Sequence, residues 1–180
     1  IQIGDRIPSA TLSQGTPEGP RPVHTDEFFK GKTVALFAVP GAFTPTCSAR
    51  HLPGYVDNKS VLAEKGVDVI ACLSVNDAFV MFQWGKNMGL EKVKLLPDGN
   101  GDFTRRLGML IDKRHLGFGQ RSWRYAAVVD NGKIAAWFEE PAINDAGEDS
   151  DPYEQSTPEN VYAWLLANDG RAPDADGSIF

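Results

Sequence analysis

Three features of the sequence predict an α/β fold in which a mixed central sheet is covered by helices on both faces. Two continuous apolar runs, 32–40 and 67–75, read as buried strands of the kind found in parallel sheets. Each is followed by a helical pattern, the order that places parallel strands beside one another. Last, Asn131-Gly132 separates two strand-like runs, 121–130 and 133–140, and is the commonest short hairpin signal, so an antiparallel edge is added to the sheet.

The elements follow in order. "KTVALFAVP" (32–40) is bounded by Gly31 and by Pro40-Gly41, which end it as a strand. A helix starts at Thr44, and Pro53 is expected to kink or break it, because its ring removes a donor and clashes one turn back. "DNKSVLAEKG" (57–66) resumes the helical pattern and stops at Gly66. "VDVIACLSV" (67–75) is the second strand, and "NDAFVMFQWGKNMG" (76–89) is a helix capped by Asn76 or Asp77. "KVKLLPD" (92–98) is a third strand, and "DFTRRLGML" (102–110) a short helix after the turn-rich 98–101. After the hairpin, Thr157 can cap a closing helix, 156–168, that begins on Pro158. The expected organisation is one domain, 1–168, followed by a mobile tail, 169–180.

At 180 residues, 42% hydrophobic and 23% charged, the chain suits one globular domain. No apolar run approaches the ~20 residues of a membrane helix, and the N-terminal stretch lacks a basic segment leading into an apolar core. The net charge is −6 and no Lys/Arg block is interleaved with aromatics, so neither nucleic acid nor membrane is an expected partner. Two cysteines, Cys47 and Cys72, cannot build a disulfide framework, which suits a reducing compartment such as the cytoplasm. Neither has ligand-like neighbours beyond the lone Cys47/His51 pair, so no metal and no cofactor are expected. The acidic stretch 139–160 contains no Lys, Arg or His and reads as a solvated loop rather than a docking surface for a basic partner.

The chemistry concentrates in "PGAFTPTCS" (40–48). With Thr44 as N-cap and Pro45 as the first helical residue, Cys47 falls at the third position of the helix. There the Thr44 hydroxyl, the free N–H groups of the first turn and the positive end of the helix dipole share one space, and all three favour an anion. Cysteines in such positions have thiol pKa values lowered into a range of ~3.5–7.5, so Cys47 is expected to be a thiolate at neutral pH. Pro40-Gly41 allows the loop to fold over the sulfur. A cation should complete the site, and Arg121 and Arg124 are the candidates, arginine being the cation that stays charged when partly buried. Spacing alone does not choose between them.

Other residues have plainer readings. Cys72, between Ala71 and Leu73, is a buried hydrophobe. His51, one turn after Cys47, is structural, with a minor role as acid or base as the alternative. Phe43, Phe79 and Trp84 read most simply as core, with the wall of an apolar pocket as the alternative, and Thr46 and Ser48 serve the helix turn.

With those residues in hand, the chain resembles a known family. "PGAFTPTCS" contains the Pro-x-x-x-Thr-x-x-Cys signature of the peroxiredoxins, and 51–56, 72–81 and 124–132 are similar to the type 5 branch, called type II in plants. The resemblance spans about Ile3 to Leu166. It implies a thioredoxin-like fold and thiol-dependent reduction of hydrogen peroxide and small alkyl hydroperoxides. It also implies roles for Cys47 as the peroxidatic cysteine, Thr44 and Pro40 as its loop partners and Arg124 as the guanidinium. A homodimer is implied by the same route. Some type 5 relatives carry a resolving cysteine near the C-terminus, whereas no cysteine follows Cys72 here. The expectation is therefore a one-cysteine cycle completed by an external thiol, with glutathione and glutaredoxin favoured and thioredoxin the alternative. A peroxide sensor or redox relay using the same cysteine is the second hypothesis. A thiol–disulfide oxidoreductase is the weakest, since the chain has no Cys-x-x-Cys pair.

Overall fold

A computed structural model describes residues 1–168; the segment 169–180, expected to be mobile, lies outside the described residues. The chain opens with a hairpin of β1 (Thr11–Gln14) and β2 (Arg21–His24) and one helical turn, α1 (Thr25–Phe28). β3 (Thr33–Ala38) leads into a π-helical turn, Cys47–His51, which runs on as α2 (Leu52–Asp57) and, after a break at Asn58, α3 (Lys59–Glu64). Then come β4 (Val69–Ser74), α4 (Ala78–Asn87), β5 (Val93–Pro97), α5 (Asp102–Arg106) and β6 (Leu110–Asp112). A 3-10 turn (Arg114–Leu116), β7 (Gln120–Ser122), β8 (Tyr125–Asp130), β9 (Lys133–Glu139) and α6 (Pro158–Asn168) complete it. Among these residues no helix is long and apolar enough to cross a membrane.

The central sheet has the order β5-β4-β3-β8-β9, with β5, β4 and β3 parallel and β8 and β9 antiparallel, the mixed sheet that the sequence predicts. Both faces are covered, which is why its strands are apolar at successive positions. Ala35, Phe37, Cys72, Ala126 and Val128 face a core shared with Leu52, Tyr55, Leu62, Trp84 and Val161 from the helices. Val34, Leu36, Leu73, Ala127 and Val129 face a second core with Leu12, Phe29, Phe103 and Trp123. Fully buried side chains of this size each contribute about 1.5–3 kcal/mol.

Several expectations are corrected. The run 121–130 is two strands: β7 pairs with β6 in a small separate sheet, and β8 enters the central sheet. Trp123 breaks the run because its N–H donates to the Met109 carbonyl (2.7 Å), away from the central ladder. Leu110 belongs to β6 and not to the preceding helix. The hairpin β1–β2 has no apolar alternation to announce it and was not anticipated. Asp77, and not Asn76, caps α4 by accepting the Val80 N–H (2.8 Å). Pro53 does not end the helical stretch: the π turn just ahead of it bonds Leu52 N–H to the Cys47 carbonyl, and Pro53 falls at the start of α2, where a missing donor costs little. Of the three aromatics assigned to the core, only Trp84 is buried; Phe43 and Phe79 are 49% and 72% exposed.

The register decides where chemistry can occur. Ala38 at the end of β3 pairs with Tyr125 at the start of β8, so the residue before β8, Arg124, stands beyond the C-terminal end of β3. The chain leaving β3 reaches Cys47 at that same end.

Candidate active site

Cys47 lies fully buried at the start of the helical stretch, under the loop 40–44. Arg121 clamps that loop by donating from Nη1 to the Pro40 carbonyl (3.2 Å) and from Nε to the Phe118 carbonyl (3.1 Å). A Cβ on Gly41 would lie 2.7 Å from Arg121 Nη1, so a larger residue there would displace the Arg121 clamp. The loop's other edge is tied down by the Ala42 N–H donating to Asn76 Oδ1 (3.0 Å), which also accepts from Ser74 Oγ (2.6 Å).

Thr44 does not cap through its side chain. Its hydroxyl donates to the Gly41 carbonyl (2.7 Å), while its own carbonyl accepts the Ser48 N–H (3.0 Å) and so closes the first helical turn. The Thr44 oxygen therefore keeps its lone pairs available toward the loop interior. Ser48, assigned to the helix turn, accepts from Trp84 Nε1 (3.1 Å). Thr46, assigned likewise, is one of the groups that hold the Asp151 carboxyl below its ordinary value.

Of the two arginines, Arg124 faces the sulfur: Nη2 donates to Cys47 Sγ at 3.4 Å, and the side chain is 2% exposed. The same nitrogen donates to Asp151 Oδ1 (2.9 Å), and Nη1 is 2.8 Å from His51 Nδ1. Burial works against the guanidinium's charge, but Cys47 and Asp151 outweigh it and raise the Arg124 pKa further. Among the described residues Arg124 Nε, which is buried, has no hydrogen-bond partner, a donor left free at the site.

His51 is a central part of this arrangement, beyond the minor role anticipated. Its Nε2 is 3.2 Å from the Ser156 carbonyl, which can only accept, so Nε2 carries the proton and Nδ1 accepts from Arg124. The ring packs 4.7 Å from that of Phe37, itself stacked on Tyr55 at 4.1 Å, and Tyr55 donates to the same Ser156 carbonyl (2.8 Å). Burial, and then the Arg124 charge, push the His51 pKa well below 6.5.

A stability effect follows from His51. The folded protein refuses a proton that the unfolded chain accepts below about pH 6.5, so stability is lost as pH falls through that value. The slope should approach about 1.4 kcal/mol per pH unit until the depressed folded pKa is reached. Urea unfolding between pH 7.5 and 5 is expected to show that slope in the wild type and a markedly flatter one in His51→Asn. Equal slopes in the two proteins would rule the assignment out.

The acidic stretch is no loose solvated loop. Glu140, fully buried, accepts the N–H groups of Glu154, Gln155 and Ser156 (2.7–3.0 Å) and the Ser156 hydroxyl (2.6 Å), which fixes the Ser156 carbonyl that orients His51. Asp149 pairs with buried Lys113 (3.2 Å). Asp151 pairs with Arg124, and Tyr153 lies with its ring 4.7 Å from His51 and 5.9 Å from the Arg124 guanidinium. No local pattern marks these acceptors; the only signal was an excess of acids in a chain whose site needs a buried arginine. Cys72, by contrast, is fully buried in β4, and its thiol pKa is pushed up by burial and by Cys47.

The Redoxin family profile matches residues 2–155. A peroxiredoxin of Sinorhizobium fredii, y4vD, is 51% identical over 164 residues, covering 86% of this chain and 87% of that one. The structure of reduced Prx3 with hydrogen peroxide from Vibrio vulnificus superposes with a TM-score of 0.83 at 45% identity, over 92% of this chain and 99% of that one. A 1-Cys peroxiredoxin of Plasmodium falciparum gives a TM-score of 0.87 at 34% identity, over 93% and 100%.

Proposed function

The chain belongs to the peroxiredoxins, thiol peroxidases of the thioredoxin-like superfamily, and from that premise we propose that Cys47 is the peroxidatic cysteine, served by Thr44, Pro40 and Arg124, in a one-cysteine cycle. The observation that carries this reading is the contact of a buried arginine with a buried cysteine sulfur, 3.4 Å apart, at the C-terminal end of β3. The Cys47 thiolate attacks one oxygen of hydrogen peroxide or a small alkyl hydroperoxide. The S–O bond forms as the O–O bond breaks, and the leaving oxygen takes a proton and departs as water or an alcohol. Cys47 is left as the sulfenic acid. The free Arg124 Nε–H faces charge growing on the leaving oxygen, while the Thr44 oxygen accepts from the peroxide proton. Pro40, buried and without an N–H, offers no competing donor.

The sulfenic acid is returned to the thiol by two equivalents of an external thiol, which leave as a disulfide with release of water. Cys72 is a poor internal resolver, since it is fully buried in the middle of a paired strand. We favour glutathione with glutaredoxin as the donor over thioredoxin. The protein is taken as one domain over 1–168, working as a homodimer in the reducing cytoplasm. Phe43, exposed on the loop 40–44, and Phe79, exposed on the first turn of α4, support the pairing of two copies.

Steady-state peroxide consumption tests the reductant. Turnover is expected with glutathione and glutaredoxin and to persist in Cys72→Ser. Turnover with thioredoxin alone would replace the donor, and loss of turnover in Cys72→Ser would end the one-cysteine cycle.

A further inference from the structure

We propose that Asp151 is a positioning residue whose task is to keep the Arg124 guanidinium in place when Cys47 loses its negative charge, a reading that rests on Cys47 being the peroxide-reactive thiolate. The hydrogen-bond inventory of the guanidinium leads there. Nη2 has two N–H bonds, and both are used, one toward Cys47 Sγ and one toward Asp151 Oδ1. Nη1 meets a neutral imidazole, because the His51 proton is committed to the Ser156 carbonyl. Among the described residues the anionic groups in contact with Arg124 are thus Cys47 and Asp151. Tyr153, whose ring lies against the guanidinium, is uncharged, its phenol being pushed up to about 12 by burial and by Glu159.

Oxidation of Cys47 turns an anion into a neutral sulfenic acid. Arg124 is then a buried cation whose one remaining counter-ion is Asp151; without it the charge would be buried and unpaired, a strongly unfavourable state. Asp151 is built for this constancy. Its backbone sits in the left-handed region (φ 52), which aspartate tolerates, and its N–H donates to Asp149 Oδ1 (2.9 Å). Asp149 is itself held by Lys113. Burial pushes this carboxyl up, but Arg124, Thr46 and Lys113 outweigh it and hold it below the ordinary value, so the counter-ion stays charged.

A double-mutant cycle on the full chain tests the idea. Thermal unfolding of reduced wild type, Asp151→Asn, Cys47→Ser and the double variant at pH 8 is combined with absorbance at 240 nm to count thiolate. The wild type should carry one thiolate more than Cys47→Ser. Asp151→Asn is expected to lower Tm by about 2–4 °C when the thiolate is present and by at least twice that in Cys47→Ser, where it is absent. Should Cys47→Ser fold poorly, the same comparison is made between reduced and sulfenic forms of wild type and Asp151→Asn, and the gap should widen in the variant. Equal losses in both backgrounds would make Asp151 a loop anchor only and overturn the proposal while the thiolate stands. Absence of the extra thiolate would remove the functional reading and the proposal together.

Discussion

Cys47→Ser is expected to consume no peroxide above the uncatalysed background while keeping the wild-type fold. Removing a nucleophile is among the largest losses an enzyme can suffer, on the order of 10⁶ in rate. Serine is close in size to cysteine, and its hydroxyl can still accept from Arg124 Nη2, so the packing beneath the loop 40–44 should survive. The check pairs a peroxide-consumption assay with circular dichroism and thermal unfolding. Residual turnover in a folded variant would mean that another group, Cys72 first, performs the attack.

Arg124→Lys is the second large effect. Arginine reaches three partners at once, His51 Nδ1, Cys47 Sγ and Asp151 Oδ1, from two nitrogens of a rigid fork. An ammonium on a flexible stem keeps the charge but cannot reproduce that geometry, nor offer a further donor toward the leaving oxygen. Losing one preorganised donor at a site of developing charge costs about 10²–10³ in rate. The kcat/KM for hydrogen peroxide is therefore expected to fall by roughly that factor. Stability should also drop, by about 1–3 kcal/mol, because His51 or Asp151 loses its partner. Stopped-flow kinetics over a range of peroxide concentrations measures the first effect and urea unfolding the second. A loss below tenfold would show that charge alone, and not the fork, is what the site requires.

The local part of this site was legible in the sequence and the non-local part was not. Thr44-Pro45-Thr46-Cys47 announces a helix start because capping is decided within four residues. The choice between Arg121 and Arg124 could not be made that way, since it depends on the pairing of Ala38 with Tyr125 across more than eighty positions. Spacing placed both arginines in one strand, whereas the break at Trp123 sends Arg121 to the Pro40 carbonyl and Arg124 to the sulfur. Thr44 was placed correctly in the turn, but a hydroxyl has a choice of partners, and a carbonyl three residues back is as near as an N–H ahead.

The acidic segment conceals its role in the sequence for a related reason. Uncharged surroundings and opposite charges look alike in sequence when the partner lies far away. Glu140 satisfies three successive N–H groups, Asp149 meets buried Lys113, and Asp151 meets Arg124; the two ion pairs join residues 36 and 27 positions apart, a distance no local pattern reports. The exposed Phe43 and Phe79 show the converse, since an aromatic residue in an apolar context reads as core wherever the fold puts it.

The most direct test of the account is single-turnover oxidation of reduced Cys72→Ser by hydrogen peroxide, followed by stopped flow, with mass spectrometry of the trapped product and Cys47→Ser as control. The expected result is oxidation orders of magnitude faster than that of free cysteine, with one sulfenic acid, on Cys47. Oxidation no faster than free cysteine would contradict the assignment of Cys47 as the peroxidatic thiolate.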